Sequence, residues 1–208
     1  MRIIYTDVYG FQHALRGMRN PKNSWGRTDS VAYELDSGIL KFSIGNADIE
    51  LSKKLVKAGT EHCKHLRMIQ VWADVKAPRY WWQEFDTYKH VEKISCSTMH
   101  TLFRKEMSIL DFEFISKEEE VGIICQVIDT LNELREEYIE SSKERYLELA
   151  KTLLPESYLQ KRTINTNYQQ LLNIYHQRKN HRLPQWKEFC KWIEELPYFK
   201  ELTGIDDK

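Results

Sequence analysis

"NYQQLLNIYHQRKNHRLPQW", Asn167 to Trp186, is the stretch whose reading decides the rest of the chain. At about 100° per residue, Tyr168, Leu171, Leu172 and Tyr175 cover one continuous apolar arc. Asn167, Ile174 and Arg178 gather at its edge, within about 40° of one another. Gln169, Gln170, Asn173 and Gln177 take the polar side. The pattern predicts a helix over Asn165–Lys179 and a second over Pro184–Leu196. A guanidinium at the edge of an apolar arc needs an anionic or carbonyl partner, because an unpaired buried charge costs several kcal/mol. A carboxylate of the chain or a bound ligand can supply it, and the pattern leaves both open.

Upstream, "RIIYTDVY" (Arg2–Tyr9) is rich in β-formers and predicts a strand, and "FQHALRGMR" a short helix. "ILKFSIG" (Ile39–Gly45) predicts a second strand, and "ADIELSKKLVKAG" an amphipathic helix closed by Gly59. Ile69, Val71, Ala73 and Val75 alternate with Gln70, Trp72, Asp74 and Lys76, the period of a half-buried strand. Pro78 suits the first turn of the helix that "RYWWQEF" begins. From Ser116 to Pro155 the chain reads as one long helical run. Ser116 and Glu119 form a capping box, and Val121, Ile124, Val127, Ile128, Leu131 and Leu134 its apolar stripe. These elements predict an α+β chain, helix-dominated with a small central sheet. No Pro/Gly/Ser-rich linker interrupts it, so residues 1–208 read as a single domain.

Of the 208 residues, 41% are hydrophobic, enough to bury a core. Lysine plus arginine equals aspartate plus glutamate at 31 each. That balance argues against a nucleic-acid polymer or a membrane surface as partner. Cys63, Cys96, Cys125 and Cys190 form no C-x-x-C pair, which suits reduced thiols in the cytoplasm. The N-terminus lacks the apolar stretch of a signal peptide, and no run approaches the ~20 residues of a membrane span.

The order of motifs says more than any one of them. A strand ending in "VKAP" is followed by an aromatic helix start containing glutamine, then a serine-bearing loop. A long helix ending in "LLP" leads to Asn167, Leu171, Asn173, Arg178, Gln185, Trp186 and Glu188. This sequence resembles the flavin-dependent thymidylate synthases (ThyX) over roughly Leu51 to Phe199, with one residue inserted between Arg178 and Gln185. The resemblance implies a homotetramer with sites shared between subunits. It implies FAD as cofactor, dUMP or a close pyrimidine nucleotide as substrate, and NADPH and methylene-tetrahydrofolate as co-substrates. The product would be dTMP.

Carried over position by position, Arg178 matches the arginine that holds the pyrimidine ring, where charge develops on the carbonyls. Lys151 stands where the family places an arginine near the nucleotide. Lysine can hold phosphate as a point charge without the bidentate fork. Asn167 and Asn173 match asparagines near the flavin. His181 or Arg182 stands near a flavin-contacting histidine, and His62 or His65 near another. Gln83 or Glu84 lies near a nucleotide-binding glutamine, and Ser97 matches the serine of the signature loop. That loop departs from the family pattern. Its R-H-R becomes Thr87, Tyr88 and Lys89, its glutamate Ser95 and its final arginine Met99. Each lost cation removes charge-assisted hydrogen bonds worth about 1.5–3 kcal/mol. Lys89, His90, Lys93 and His100 are the candidates to restore positive charge. The alternative reading is a protein of the same fold that binds nucleotide, or serves structurally, without synthase activity.

Other constellations carry less. Glu61, His62, Cys63 and His65 lie within one short stretch, but no second cluster completes a metal shell. Trp72, Trp81 and Trp82 can stack on a ring but more often build core or interface. Cys96 has histidines near it in sequence only. Neither G-x-G-x-x-G nor a P-loop is present.

Overall fold

The computed structural model describes residues 1–35, 40–113 and 118–206. In chain order its first half runs β1 (Arg2–Tyr9), α1 (Phe11–Arg19), β2 (Val31–Glu34), β3 (Leu40–Ser43), α2 (Asn46–Lys57) and β4 (Gln70–Pro78). Next come α3 (Arg79–Phe85), β5 (Glu92–Ser95), α4 (Thr98–Thr101), α5 (Glu118–Ser141) and α6 (Glu144–Leu153). β6 (Leu159–Asn167), α7 (Tyr168–Arg178), α8 (Pro184–Glu194) and α9 (Phe199–Thr203) follow. The fold is α+β and helix-dominated, as expected. One sheet has the order β1-β4-β6-β5, and β2 pairs with β3 in a second. That pair is antiparallel, with Val31 opposite Ser43 and Glu34 opposite Leu40.

The chain groups into two compact units. The first comprises Met1–Ile3, Asp74–Lys89 and Lys93–Thr163; the second comprises Ile4–Ala73, His90–Glu92 and Ile164–Lys208. In the first, the apolar stripe of α5 does what its spacing predicts. Ile128 and Leu131 are buried with Leu102, Met107, Phe112, Leu147, Ala150 and Leu154, while Ile124, Val127 and Leu134 pack at the margin. Trp81 and Trp82 are fully buried. Trp81 stacks on Phe85 at 4.8 Å, and Trp82 Nε1 donates to Gln160 O at 2.9 Å. These two tryptophans are core. Trp72, by contrast, is 38% exposed and meets the Tyr9 ring edge-on at 6.0 Å.

The second unit is built on α7. Tyr168, Leu171, Leu172, Ile174 and Tyr175 are its buried face. The Tyr168 amide donates to Ile69 O at 3.1 Å, pinning the helix start beside β4. Ile69, just before β4, and Val71, Ala73 and Val75 on it are buried, the alternation the sequence shows. Arg19 and Asp48 are buried together, with Arg19 Nε donating to Asp48 Oδ1 at 2.6 Å. Ser30 Oγ donates to the other carboxylate oxygen at 2.6 Å, and so does Thr28 Oγ1. This buried carboxylate ties the segment after α1 to α2.

Four expectations need correction. The helix over Asn165–Lys179 starts only at Tyr168, because Asn165–Asn167 complete β6. Asn167 is extended and caps the helix. The long run toward Pro155 breaks at Ser142, whose φ of 54° is left-handed, separating α5 from α6. Pro78 ends β4 and caps α3 from extended backbone instead of lying inside its first turn. Gln169 is 6% exposed instead of lying on a solvated face. The Ser116–Glu119 capping box and Ile39 lie outside the described residues.

Candidate functional site

α7 emerges directly from β6, so its first turn lies at a strand end. The Asn167 Oδ1 accepts the Gln170 amide at 3.0 Å and satisfies one of the bare N–H groups of that turn. Three residues on, one helical turn, stands Asn173. Asn167, Gln169, Gln170 and Asn173 line a polar hollow of 330 Å³, whose wall is completed by Thr60, Arg67 and His90. The volume sits at the lower end of the ~300–1,000 Å³ typical of small-molecule pockets. Arg67 Nη2 donates to Thr60 O at 3.4 Å. His90 holds a left-handed φ of 59°, uncommon for a side-chain-bearing residue. Its carbonyl accepts from Thr166 Oγ1 at 3.4 Å.

Two asparagines singled out from sequence therefore meet in one hollow, and His90 of the altered loop joins them. Gln169, Gln170, Thr60 and Arg67 were not foreseen. Gln170 has a readable signal, since it falls one turn from both asparagines. Arg67 and Thr60 reach the hollow by tertiary placement alone.

At the other end of α7, Arg178 is half-buried. Its guanidinium lies over the Trp186 ring at 4.5 Å, a cation–π contact. His181 is 6.1 Å from the same ring, and its Nδ1 accepts the Leu183 amide at 3.2 Å. Arg178 and His181 thus converge on Trp186, whereas Arg182 is exposed.

His65 is 3% exposed. Its Nε2 lies 2.7 Å from Ser52 Oγ, and Ser52 donates to Leu202 O at 2.7 Å. The serine hydrogen being spent, the imidazole must donate through Nε2, which leaves Nδ1 bare. That buried atom has no hydrogen-bond partner. Burial pulls the His65 pKa from 6.5 down to about 4, so the ring is neutral at physiological pH. His62, the alternative to His65, is exposed.

The remaining candidates lie in the first unit. Gln83 Nε2 donates to Glu156 Oε2 at 2.9 Å. Glu84 is half-buried, and its carbonyl accepts from Thr87 Oγ1 at 2.7 Å. Lys151 is half-buried on α6, and Lys89 is exposed. Ser97 caps α4 through its backbone without a side-chain bond to that helix. Tyr88 is 9% exposed and packs against Phe85 at 6.1 Å. Lys93 pairs with Asp86 at 3.2 Å, and His100 is exposed. Among the described residues no group of three or more His, Cys, Asp or Glu side chains is placed to hold a metal ion.

No protein-family model matches the chain, and no curated protein matches it. Solved structures do. The chain is similar to the flavin-dependent thymidylate synthase ThyX from Helicobacter pylori complexed with FAD and dUMP. The TM-score is 0.73 and the identity 20%, over 99% of each chain. A second structure of thymidylate synthase X from the same organism, with FAD and dUMP, gives a TM-score of 0.74 at 20% identity. It covers 99% of this chain and 98% of that one. At that identity the likeness establishes the fold, which is ThyX-like from end to end. No helix among the described residues is long and apolar enough to cross a membrane.

Proposed function

We propose that this chain is a cytoplasmic, homotetrameric flavin-dependent thymidylate synthase-like enzyme. It would convert dUMP, or a close pyrimidine nucleotide, to the methylated product with methylene-tetrahydrofolate and NADPH. The supporting observation is that Asn167 and Asn173, with Arg67 and His90, line one polar hollow in a fold similar to proteins that hold FAD and dUMP. When bound, FAD supplies the hydride chemistry, so the protein's part is position and charge. In the second unit Asn167 and Asn173 hold a carbonyl-bearing ring, with His65 and His181 or Arg182 as flavin-side groups. Arg178 meets negative charge developing on the pyrimidine carbonyls, its plane held against Trp186. In the first unit Lys151 binds phosphate as a point charge, Lys89 adds positive charge, and Gln83, Glu84 and Ser97 contact the nucleotide.

One observation favours the alternative, a nucleotide-binding protein without synthase activity. Of the loop positions that are cationic in the family pattern, Thr87 closes a local turn and Tyr88 is core. Tritium release from C5-labelled dUMP separates the two. With FAD, NADPH and methylene-tetrahydrofolate supplied, the enzyme releases label into water. No release, alongside thermal stabilisation by dUMP, would establish the binding protein instead.

A further inference from the structure

We propose that the buried Cys63–Gln169 pair sets which way the Asn173 amide faces, so that Asn173 joins Asn167 in presenting N–H donors to a ring bearing carbonyl acceptors. The inference rests on the reading above, in which this hollow receives the flavin or the pyrimidine. Cys63 is 2% exposed and Gln169 6%. The Cys63 thiol donates to Gln169 Oε1, with sulfur and oxygen 2.6 Å apart, and has the more distant Thr60 O, at 3.7 Å, as a second acceptor. A thiol has one proton and its sulfur accepts weakly, so the carbonyl end of Gln169 belongs beside it. Burial raises the Cys63 pKa, which keeps that proton in place. Gln169 Nε2 then points away from the sulfur and lies 3.5 Å from Asn173 Oδ1, one helical turn along α7. With its oxygen turned to Gln169, Asn173 has its NH₂ left for the hollow.

Asn167 reaches the same polarity by another route. Its Oδ1 accepts the Gln170 amide, which again leaves an NH₂. Arg67 can only donate. The three side chains therefore make a donor array. The pyrimidine ring of a flavin and the ring of uracil both offer two carbonyls to such an array. A cytosine or adenine ring puts an amino group at one of those places and leaves two donors facing each other. Gln169 and Cys63 are positioning residues: they act on the ligand through Asn173.

The test compares Cys63→Ala, which removes the donor, with Cys63→Ser, which keeps one of similar size. FAD and dUMP affinities are measured on the full chain by calorimetry. Cys63→Ala should weaken whichever ligand occupies the hollow roughly tenfold, and Cys63→Ser should recover most of that loss. The ligand bound elsewhere should be unaffected, which identifies the occupant. A purely structural thiol would not distinguish Ser from Ala in this direction, since the polar hydroxyl is the costlier one to bury. Equal affinities in wild type and Cys63→Ala, or Ser failing as Ala does, would overturn the proposal. A second readout needs no ligand. In protein labelled at glutamine nitrogen, the Gln169 Nε2 protons should show nuclear Overhauser contacts to Asn173, and contacts to the Cys63 methylene instead would overturn it. If wild type bound neither FAD nor dUMP, the functional reading would fail while this measurement still decided the amide orientation.

Discussion

Acidification should strip stability from the second unit through one imidazole. His65 is 3% exposed, donates to Ser52 and keeps a bare Nδ1 in the interior. Protonation would place a charge there with no acceptor. Its folded pKa is about 4 against an ordinary 6.5. Between those values the unfolded chain binds more protons than the folded one, so stability falls as the pH falls. The loss amounts to about 2 kcal/mol at about pH 5 and approaches roughly 3 kcal/mol near the folded pKa. Urea unfolding at a series of pH values measures it. His65→Gln is the control, because its amide can still donate to Ser52 but does not titrate. Burial also lowers the His176 pKa, yet that residue is present in both proteins and cancels in the difference. Wild type should lose stability steeply over this window while the variant loses distinctly less. Parallel curves would refute the argument.

Three further outcomes follow from the geometry. Asp48→Ala leaves Arg19 buried without its carboxylate and should cost about 3–5 kcal/mol, read as a fall in the urea midpoint. Gly10→Ala should cost at least about 1–3 kcal/mol by thermal unfolding, because Gly10 has a φ of 103° and an added Cβ would meet Met68 O. Arg178→Ala should stay folded while losing at least about 0.5–1 kcal/mol of stability with its contact to Trp186. It should nonetheless abolish thermal stabilisation by dUMP, and an unfolded variant would favour a purely internal partner for the guanidinium.

The periodic parts of this fold were legible and the aperiodic parts were not. The alternation on β4 and the stripe on α5 appear in the structure because each element turns one apolar face inward. β6 was missed because "LQKRTINTN" is polar on both faces and runs without a break into α7. Only the cap made by Asn167 marks the change. Ser141 and Ser142 offered a turn signal between α5 and α6 that the strong flanking helix pattern overrode. At the site, Asn167 and Asn173 could be named from motif order. Gln169 could not, since its burial depends on Cys63, 106 residues away in the chain. Thr60 and Arg67 come to the hollow from the turn after α2 and from the short 3-10 helix Lys64–Met68, whose sequence carries no matching pattern.

The most direct test of the account is an equilibrium titration of the purified chain with FAD, followed by the flavin's visible absorbance and fluorescence, for wild type and Asn173→Ala. Wild type should bind one flavin per chain with a shifted spectrum, and Asn173→Ala should bind it at least about tenfold more weakly while unfolding at a similar temperature. Failure of the wild type to bind FAD would contradict the proposed flavoenzyme, and equal binding by the variant would contradict a flavin ring held in the amide hollow on α7.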